Sequence, residues 1–494
     1  MTNGNGYKPY PIFDFKSGLV LAKQPWLLPA DAFSSLIDCH IKRGVLEKRK
    51  GYTEYGQLVH TDTGTGVDAG STDAIMGLPT HYYGTTATLL AFDTDRMNYY
   101  NTTTSAFVDK TRYILRIEPT GQTHKPAVDS VIYDAANHAI HGVVEAVYTI
   151  TGTWTGSAYG YIILKNDGTL TGTFGSAKSI DNAGATEVYG KTAAAGEDTD
   201  FNGTSSDFFR LTNWENIGYI TNGVDQLWKY RREDTGSTEY LLPYDVDLTS
   251  GGYHHNDVTA VKFVFVYKSR LVLLSLTESG TSYPCRARWC DINDPTTYTA
   301  ANYVDCPTRD TIVTAGFIGE DLIVWFDKTV WKLVYTSDPD QPFRWEQVSA
   351  IEGASAPQAL VNLGDRQVTL GIARILSCDG RDVTPIDAKI PEAMLGFNLS
   401  NIAYSSGVLV RAEEEAWFSY CSAGQDYPDQ VLVWNYIENT FAIYNLDAHC
   451  FGLFSRTSGL NPDDMTGIYL DDLDYSLDDI SLAAGYPELL MGSR

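Results

Sequence analysis

Residues 286–348 read RARWCDINDPTTYTAANYVDCPTRDTIVTAGFIGEDLIVWFDKTVWKLVYTSDPDQPFRWEQV. Leu322 to Phe326 and Val330 to Tyr335 are runs of β-branched and aromatic residues, the composition that fits a pleated, half-buried surface. Asp327 and Lys328 between them predict a tight hairpin. Phe343 to Val348 alternates in the same way after Pro339 and Pro342, which predicts a third antiparallel strand. Trp325 and Trp331 are the large apolar anchors of this meander and are expected inside it. One meander cannot bury its own faces, so the neighbouring chain must supply similar units, as in a propeller or a sandwich.

Such units recur on both sides. Upstream, Thr88 to Asp93, Met97 to Tyr100 and Ala106 to Val108 are short strands at turn spacing, a first blade within 61–116. Gly218 to Thr221 and Gln226 to Tyr230 flank Asn222-Gly223, a strong turn signal. Ala260 to Leu276 with Arg286 to Trp289 forms the next unit. Downstream, Gln367 to Ser377 turns at Asp379-Gly380 into Asp382 to Ile386. Ser406 to Tyr420, Gln430 to Trp434 and Thr440 to Tyr444 follow. The irregular spacing suits divergent blades of an all-β propeller, with the remaining blades over 206–460. Helical periodicity is weak, with Pro391 to Leu395 the one exception.

The other segments differ in character. Residues 1–60 read as an extended leader ending in a short strand, GVLEKRKGY. Its basic cluster, Lys42, Arg43, Lys48, Arg49 and Lys50, allows nucleic-acid contact, but a solvated, aggregation-resistant β-edge explains it as well. His60 to Asp73 reads as a surface loop. Residues 117–205 are rich in Gly, Thr, Ala and Ser, with alternating strands at Val143 to Ile150 and Tyr159 to Leu164. They predict a small β-domain inserted between blades. Residues 461–494 form an acidic segment, with LDDL recurring as LDDI in Tyr469 to Ser481. It lacks the Asp-x-Asp-x-Asp-Gly loop of a calcium site and reads as a solvated connector. PELLMGSR at the end looks like a strand without a partner, as if the chain continued further.

The 494 residues carry 36 Lys+Arg against 62 Asp+Glu, a net charge of −26. That balance argues against gripping phosphates or an anionic membrane surface. It is compatible with a wall past which DNA slides, and equally with plain solubility. Seven scattered cysteines without a C-x-x-C pair indicate neither zinc nor a disulfide framework. No apolar run approaches the roughly 20 residues of a membrane span, and the first residues carry no apolar signal core.

Catalytic signals are absent. There is no H-E-x-x-H, no Walker loop and no G-x-S-x-G elbow, and His254-His255 would point to opposite faces of a strand. No cofactor is expected. The trio Glu413-Glu414-Glu415 beside Trp417 fits a sugar cleft, but solvated hairpin charges account for it too. Neither the repeated Ser-x-Asp-x-Gly-x-Thr-Trp box of sialidase-type propellers nor a WD-repeat signature occurs, and the chain is read as a non-enzyme.

Two motifs carry a family resemblance. One runs from the turn Trp289, Asp291, Ile292, Asn293, Asp294, Pro295 into Gly316 to Leu333 with Trp325 and Trp331. The other is a Gly-x-Leu-x-x-Arg-x-Gly pattern filled by Gly44, Leu46, Arg49 and Gly51. Together they resemble the nozzle proteins of short-tailed bacteriophages, also called tail tubular or packaged-DNA stabilisation proteins. The resemblance implies a propeller subunit of a homohexameric ring in the virion tail, below the portal and its adaptor or head-completion protein. Such a ring retains packaged double-stranded DNA, conducts it during ejection without binding it tightly, and meets fibre, needle or plug proteins. A receptor-binding or polysaccharide-degrading tail protein is the alternative, and a monomeric adhesion propeller a third reading.

Overall fold

In the computed structural model, which describes residues 15–61, 68–70, 73–84, 86–232, 238–248, 256–391, 393–455 and 487–493, the central stretch is a four-stranded antiparallel meander. Its strands are Ile312–Ile318, Asp321–Phe326, Val330–Tyr335 and Phe343–Ser349. Leu322, Val324 and Phe326 face one way, into a cluster shared with Phe263, Leu274 and Trp289. Ile323 and Trp325 face the other way, against Leu376 and Cys378. Successive side chains on a strand point to opposite faces, and here a neighbouring sheet covers each face. That is why the run is apolar at every position rather than alternating.

Six such sheets form a six-bladed β-propeller, spanning residues 80–109, 210–243, 258–305, 312–349, 360–385 and 407–444. The first strands of successive blades approach one another around the centre. Between the sixth blade and the first lies a two-stranded sheet, Cys450–Phe454 with Glu488–Gly492, which completes the circuit. The terminal strand expected to lack a partner therefore has one: Leu490 sits opposite Gly452 in an antiparallel ladder. Leu78 bridges Gly452 in parallel and ties this pair to the first blade. A Cβ on Gly452 would stand 2.4 Å from the Leu78 carbonyl oxygen, so the joint closes only because residue 452 has no side chain.

The inserted domain starts earlier than its composition suggests, because its first strand is Tyr113–Glu118. That strand pairs with Tyr159–Leu164 and also with Val188–Thr192, so the sheet closes into a small barrel. Leu115, Ile117, Ile162, Leu164, Phe174 and Ile180 fill it. The barrel packs through Tyr148, Tyr161 and Ile163 on Tyr240 and Leu242 of the outermost strand of blade 2. Arg116 fixes the contact by ion pairs to Asp245 at 2.6 Å and Glu197 at 2.9 Å. The insertion is thus placed on the rim of the propeller, where no blade seam is interrupted.

Several turns differ from expectation. The unit Ala260 to Leu276 is divided at Lys268-Ser269, both with left-handed φ, into Val258–Tyr267 and Arg270–Glu278. Pro391 to Leu395 is no α-helix; a 3-10 turn covers Ala393–Gly396. The acidic repeat Tyr469 to Ser481, His254-His255 and most of the His60 to Asp73 stretch lie outside the described residues.

Candidate functional site

The leader ends in a hairpin, Cys39–Lys42 with Val45–Lys48, turned by Arg43 and Gly44 at φ 53° and 75°. Two successive left-handed residues match the twist of a two-residue hairpin, and glycine takes the second without strain. Residues just before it extend blade 6: Ile37 bridges Ile443 in parallel at the outermost strand. The basic cluster is partly ion-paired rather than simply solvated. Lys42 and Lys50 both engage Glu413, the latter at 2.9 Å, and Arg49 Nε meets Asp38 Oδ1 at 3.1 Å.

Opposite the hairpin, the blade 6 turn Arg411–Glu413 is followed by Glu414 at φ 61°, which starts the strand Glu415–Tyr420. Glu415 and Trp417 share one face of that strand. Trp417 Nε1 donates to Glu415 Oε2 at 2.8 Å. The Trp417 ring stands edge-on to Tyr444 at 5.3 Å, and the Tyr444 hydroxyl and His40 Nδ1 share a 2.9 Å hydrogen bond. Leu453, Leu489 and Met491 from the ring-closing pair supply the third wall. Together these groups enclose a cavity of about 480 Å³.

Two carboxyls in it behave oppositely. Glu415 is 1% exposed, and burial pushes its pKa up to about 7 over the opposing Trp417 hydrogen bond, with the Glu413 charge adding to the rise. Its Oε1 has no hydrogen-bond partner among the described residues. Burial also acts to raise Glu413, but hydrogen bonds from Lys42 and Lys50 overcome it and hold this carboxyl below its usual value. Burial lowers His40 below 6.5, against the pull of Glu413 and Glu47, so the ring is neutral near pH 7. The cavity therefore holds an acid that ionises only near neutrality, a fixed carboxylate and a neutral imidazole beside two aromatic faces.

Of the acid trio read from the sequence, Glu415 is buried rather than solvated, and Glu413 is pinned by lysines. His40 and Tyr444 carried no signal in the sequence, because they lie 404 positions apart and meet only through the docked leader.

The motif residues do not converge on this cavity, apart from Arg49 and Gly51 at its edge. Leu46 is exposed on the hairpin. Trp289 is fully buried, 5.1 Å from the Phe343 ring across the seam of blades 3 and 4. Asp291 accepts a 3.0 Å hydrogen bond from Asn302, while Asn293, at φ 55°, forms the two-residue turn before Asp294 and donates its N–H to Ser269 O. Pro295 lies on the outermost strand of blade 3, where a missing N–H breaks no ladder. Trp325 Nε1 donates to Gln367 Oε1 at 2.9 Å, linking blades 4 and 5. Trp331 is only half-buried, contrary to its expected place inside the meander, because its strand leads to the blade's outer side; its Nε1 bonds Thr329 Oγ1.

Among the described residues, no group of His, Cys, Asp and Glu side chains is arranged to hold a metal ion, and no helix is long and apolar enough to cross a membrane. All seven cysteines are free thiols.

No protein-family model and no curated protein matches the sequence. Among solved structures, the chain is similar to Saccharomyces cerevisiae Sqt1, with 8% identity over 79% of this chain and 90% of that one, at a TM-score of 0.36. It is also similar to PorZ of Porphyromonas gingivalis, with 11% identity over 76% and 39% of the two chains at 0.28. Kluyvelomyces marxianus Hsv2 matches at 6% identity over 47% and 62%, with a TM-score of 0.26. Likeness at this level adds nothing to the strand order itself.

Proposed function

We propose that this chain is a structural subunit of a short-tailed phage tail, one copy in the hexameric nozzle ring that retains packaged DNA and conducts it during ejection. The observation that carries this reading is where the motif residues are used. Trp289, Asp291, Asn293 and Trp325 serve turns and blade seams instead of meeting at a reactive centre. A scaffold role asks no more of these residues than that deployment. Two further features support assembly. The barrel and the leader both dock on outer strands, so the modules that vary the surface sit on the rim. The leader also holds Trp26 at 78% exposure beside exposed Leu27, apolar area of the sort that marks protein contacts.

The strong negative charge fits a conduit that does not hold DNA, since repulsion keeps a duplex off an acidic wall. Portal adaptor, fibre, needle or plug proteins are the partners this role requires.

Quantitative mass spectrometry of purified source particles tests the proposal. The chain is expected at the stoichiometry of a hexamer relative to the portal. Its absence from particles, or a copy number equal to that of peripheral fibres, would replace this reading with the receptor-binding or depolymerase alternative.

A further inference from the structure

Cys285, on the strand Thr281–Asp291 of blade 3, faces Cys306, the residue that follows the outermost strand Asp294–Asp305. We propose that the two thiols are a paired oxidation site. A low-molecular-weight disulfide such as glutathione disulfide converts them into a Cys285–Cys306 disulfide, which clamps the end of the outermost strand and is opened again by thiols.

Three observations carry this. First, the register: Arg286 stands opposite Asp305 and Ala287 opposite Val304, so the next rung puts Cys285 opposite Cys306. The Cys306 N–H donates to the Cys285 carbonyl oxygen at 3.0 Å, which shows that the ladder continues to this rung. Second, the side chains: Arg286 Nε meets Asp305 Oδ1 at 2.7 Å on one face, whereas Cys285, Ala287, Val304 and Cys306 all belong to the apolar cluster on the other. Both thiols therefore point the same way. Third, both are free, Cys285 part-exposed and Cys306 buried, so a small disulfide in solution reaches Cys285 with Cys306 directly beside it. The other cysteines on ladders face different residues: Cys39 opposes Lys48, Cys290 Tyr298, Cys378 Gln367 and Cys450 Gly492.

Directly opposite residues that share an N–H···O bond have Cα atoms about 5.5 Å apart, inside the roughly 4.4–6.8 Å that disulfides span. Their Cβ atoms, about 5 Å apart on a ladder against about 3.8 Å in a disulfide, must close by about 1 Å, so the bond carries strain and stays reducible. Exchange takes two steps. The Cys285 thiolate attacks one sulfur of glutathione disulfide and expels a glutathione thiolate, leaving a mixed disulfide. Cys306, on losing its proton, attacks the Cys285 sulfur and expels the second glutathione thiolate. The protein gives up two electrons and two protons, and glutathione disulfide becomes two thiols. Burial raises both protein thiols above their ordinary value, with Asp305 adding to the rise at Cys285, so attack is slow near neutrality and quickens as pH rises. Cellular thiols keep such a pair reduced, and oxidising surroundings close it.

Mass spectrometry of the full-length native protein, incubated with glutathione disulfide at pH 8.5, then alkylated and digested without reductant, tests this. A linked pair of peptides holding Cys285 and Cys306 is expected in most molecules, with the other five cysteines alkylated and both thiols restored by dithiothreitol. In Cys306→Ser the same treatment should stop at the glutathione adduct of Cys285, which separates a resolving thiol from mere exposure. A persistent glutathione adduct on Cys285 in the unsubstituted protein, both thiols still open to alkylation, a link from either to another cysteine, or a Cys285–Cys306 link that forms only after unfolding in urea would each overturn the proposal.

Discussion

Relative to wild type, Glu415→Gln should be more favourable to stability at pH 8 than at pH 5. The carboxyl ionises at about 7 in the fold against 4.5 ordinarily, with burial the main cause. Its folded pKa lies above its unfolded one, so the native state holds a proton that the unfolded chain has released. Stability is therefore full below pH 4.5 and declines as pH rises towards 7. Taking about 1.4 kcal/mol for each pH unit between the two values gives a loss of about 3 kcal/mol at pH 8. The glutamine variant removes that loss while keeping an oxygen to accept from Trp417 Nε1. Its amide N–H₂ takes the place of the orphaned Oε1, a penalty present at every pH, so the informative quantity is the difference between the two pH values. Chemical denaturation monitored by tryptophan fluorescence at pH 5 and 8 measures it. A gain over wild type of about 3 kcal/mol larger at pH 8 than at pH 5 is expected. The same effect at both pH values would refute the reasoning, because the acid would then titrate normally in the fold.

Other sites give independent checks. Glu278 bridges Arg286 at 2.8 Å and the almost fully buried Arg288 at 2.5 Å; Glu278→Ala leaves Arg286 its pair with Asp305 but takes the carboxylate from Arg288, and should destabilise by about 3–5 kcal/mol in urea unfolding. Trp289→Ala empties the seam between blades 3 and 4, and a loss of about 3–5 kcal/mol is expected in the same assay. Trp325→Phe keeps most of the packing but leaves Gln367 Oε1 without its donor, a smaller loss of about 1–3 kcal/mol. Gly452→Ala should separate the closing pair from the first blade, seen as faster limited proteolysis near Leu78 with the barrel insertion still resistant.

The blades were legible because their strands are continuous apolar runs between turn residues. In Leu322 to Phe326 both faces are buried, and the sequence records that directly. Not every turn was legible: Lys268-Ser269 adopts left-handed φ although neither residue announces it. The last strand could be read as a strand, but its partner Cys450–Phe454 could not, since it lies 33 or more positions back from Pro487, beyond any local pattern. The barrel boundary shifted to Tyr113 because that strand, YILRIE, has a blade's composition and only its pairing reveals the other sheet. At the cavity, Glu413 to Glu415 and Trp417 stood out by type, but their opposed environments follow from lysines on the leader and walls from the closing pair. Such a site is assembled by topology, and nothing in the order of residues along the chain marks it.

Gold-labelled antibody against this chain, imaged on source particles by electron microscopy, tests the central claim most directly. A nozzle subunit predicts label in a ring on the tail axis, below the head. Label confined to peripheral fibres, or none on the particles, would contradict it.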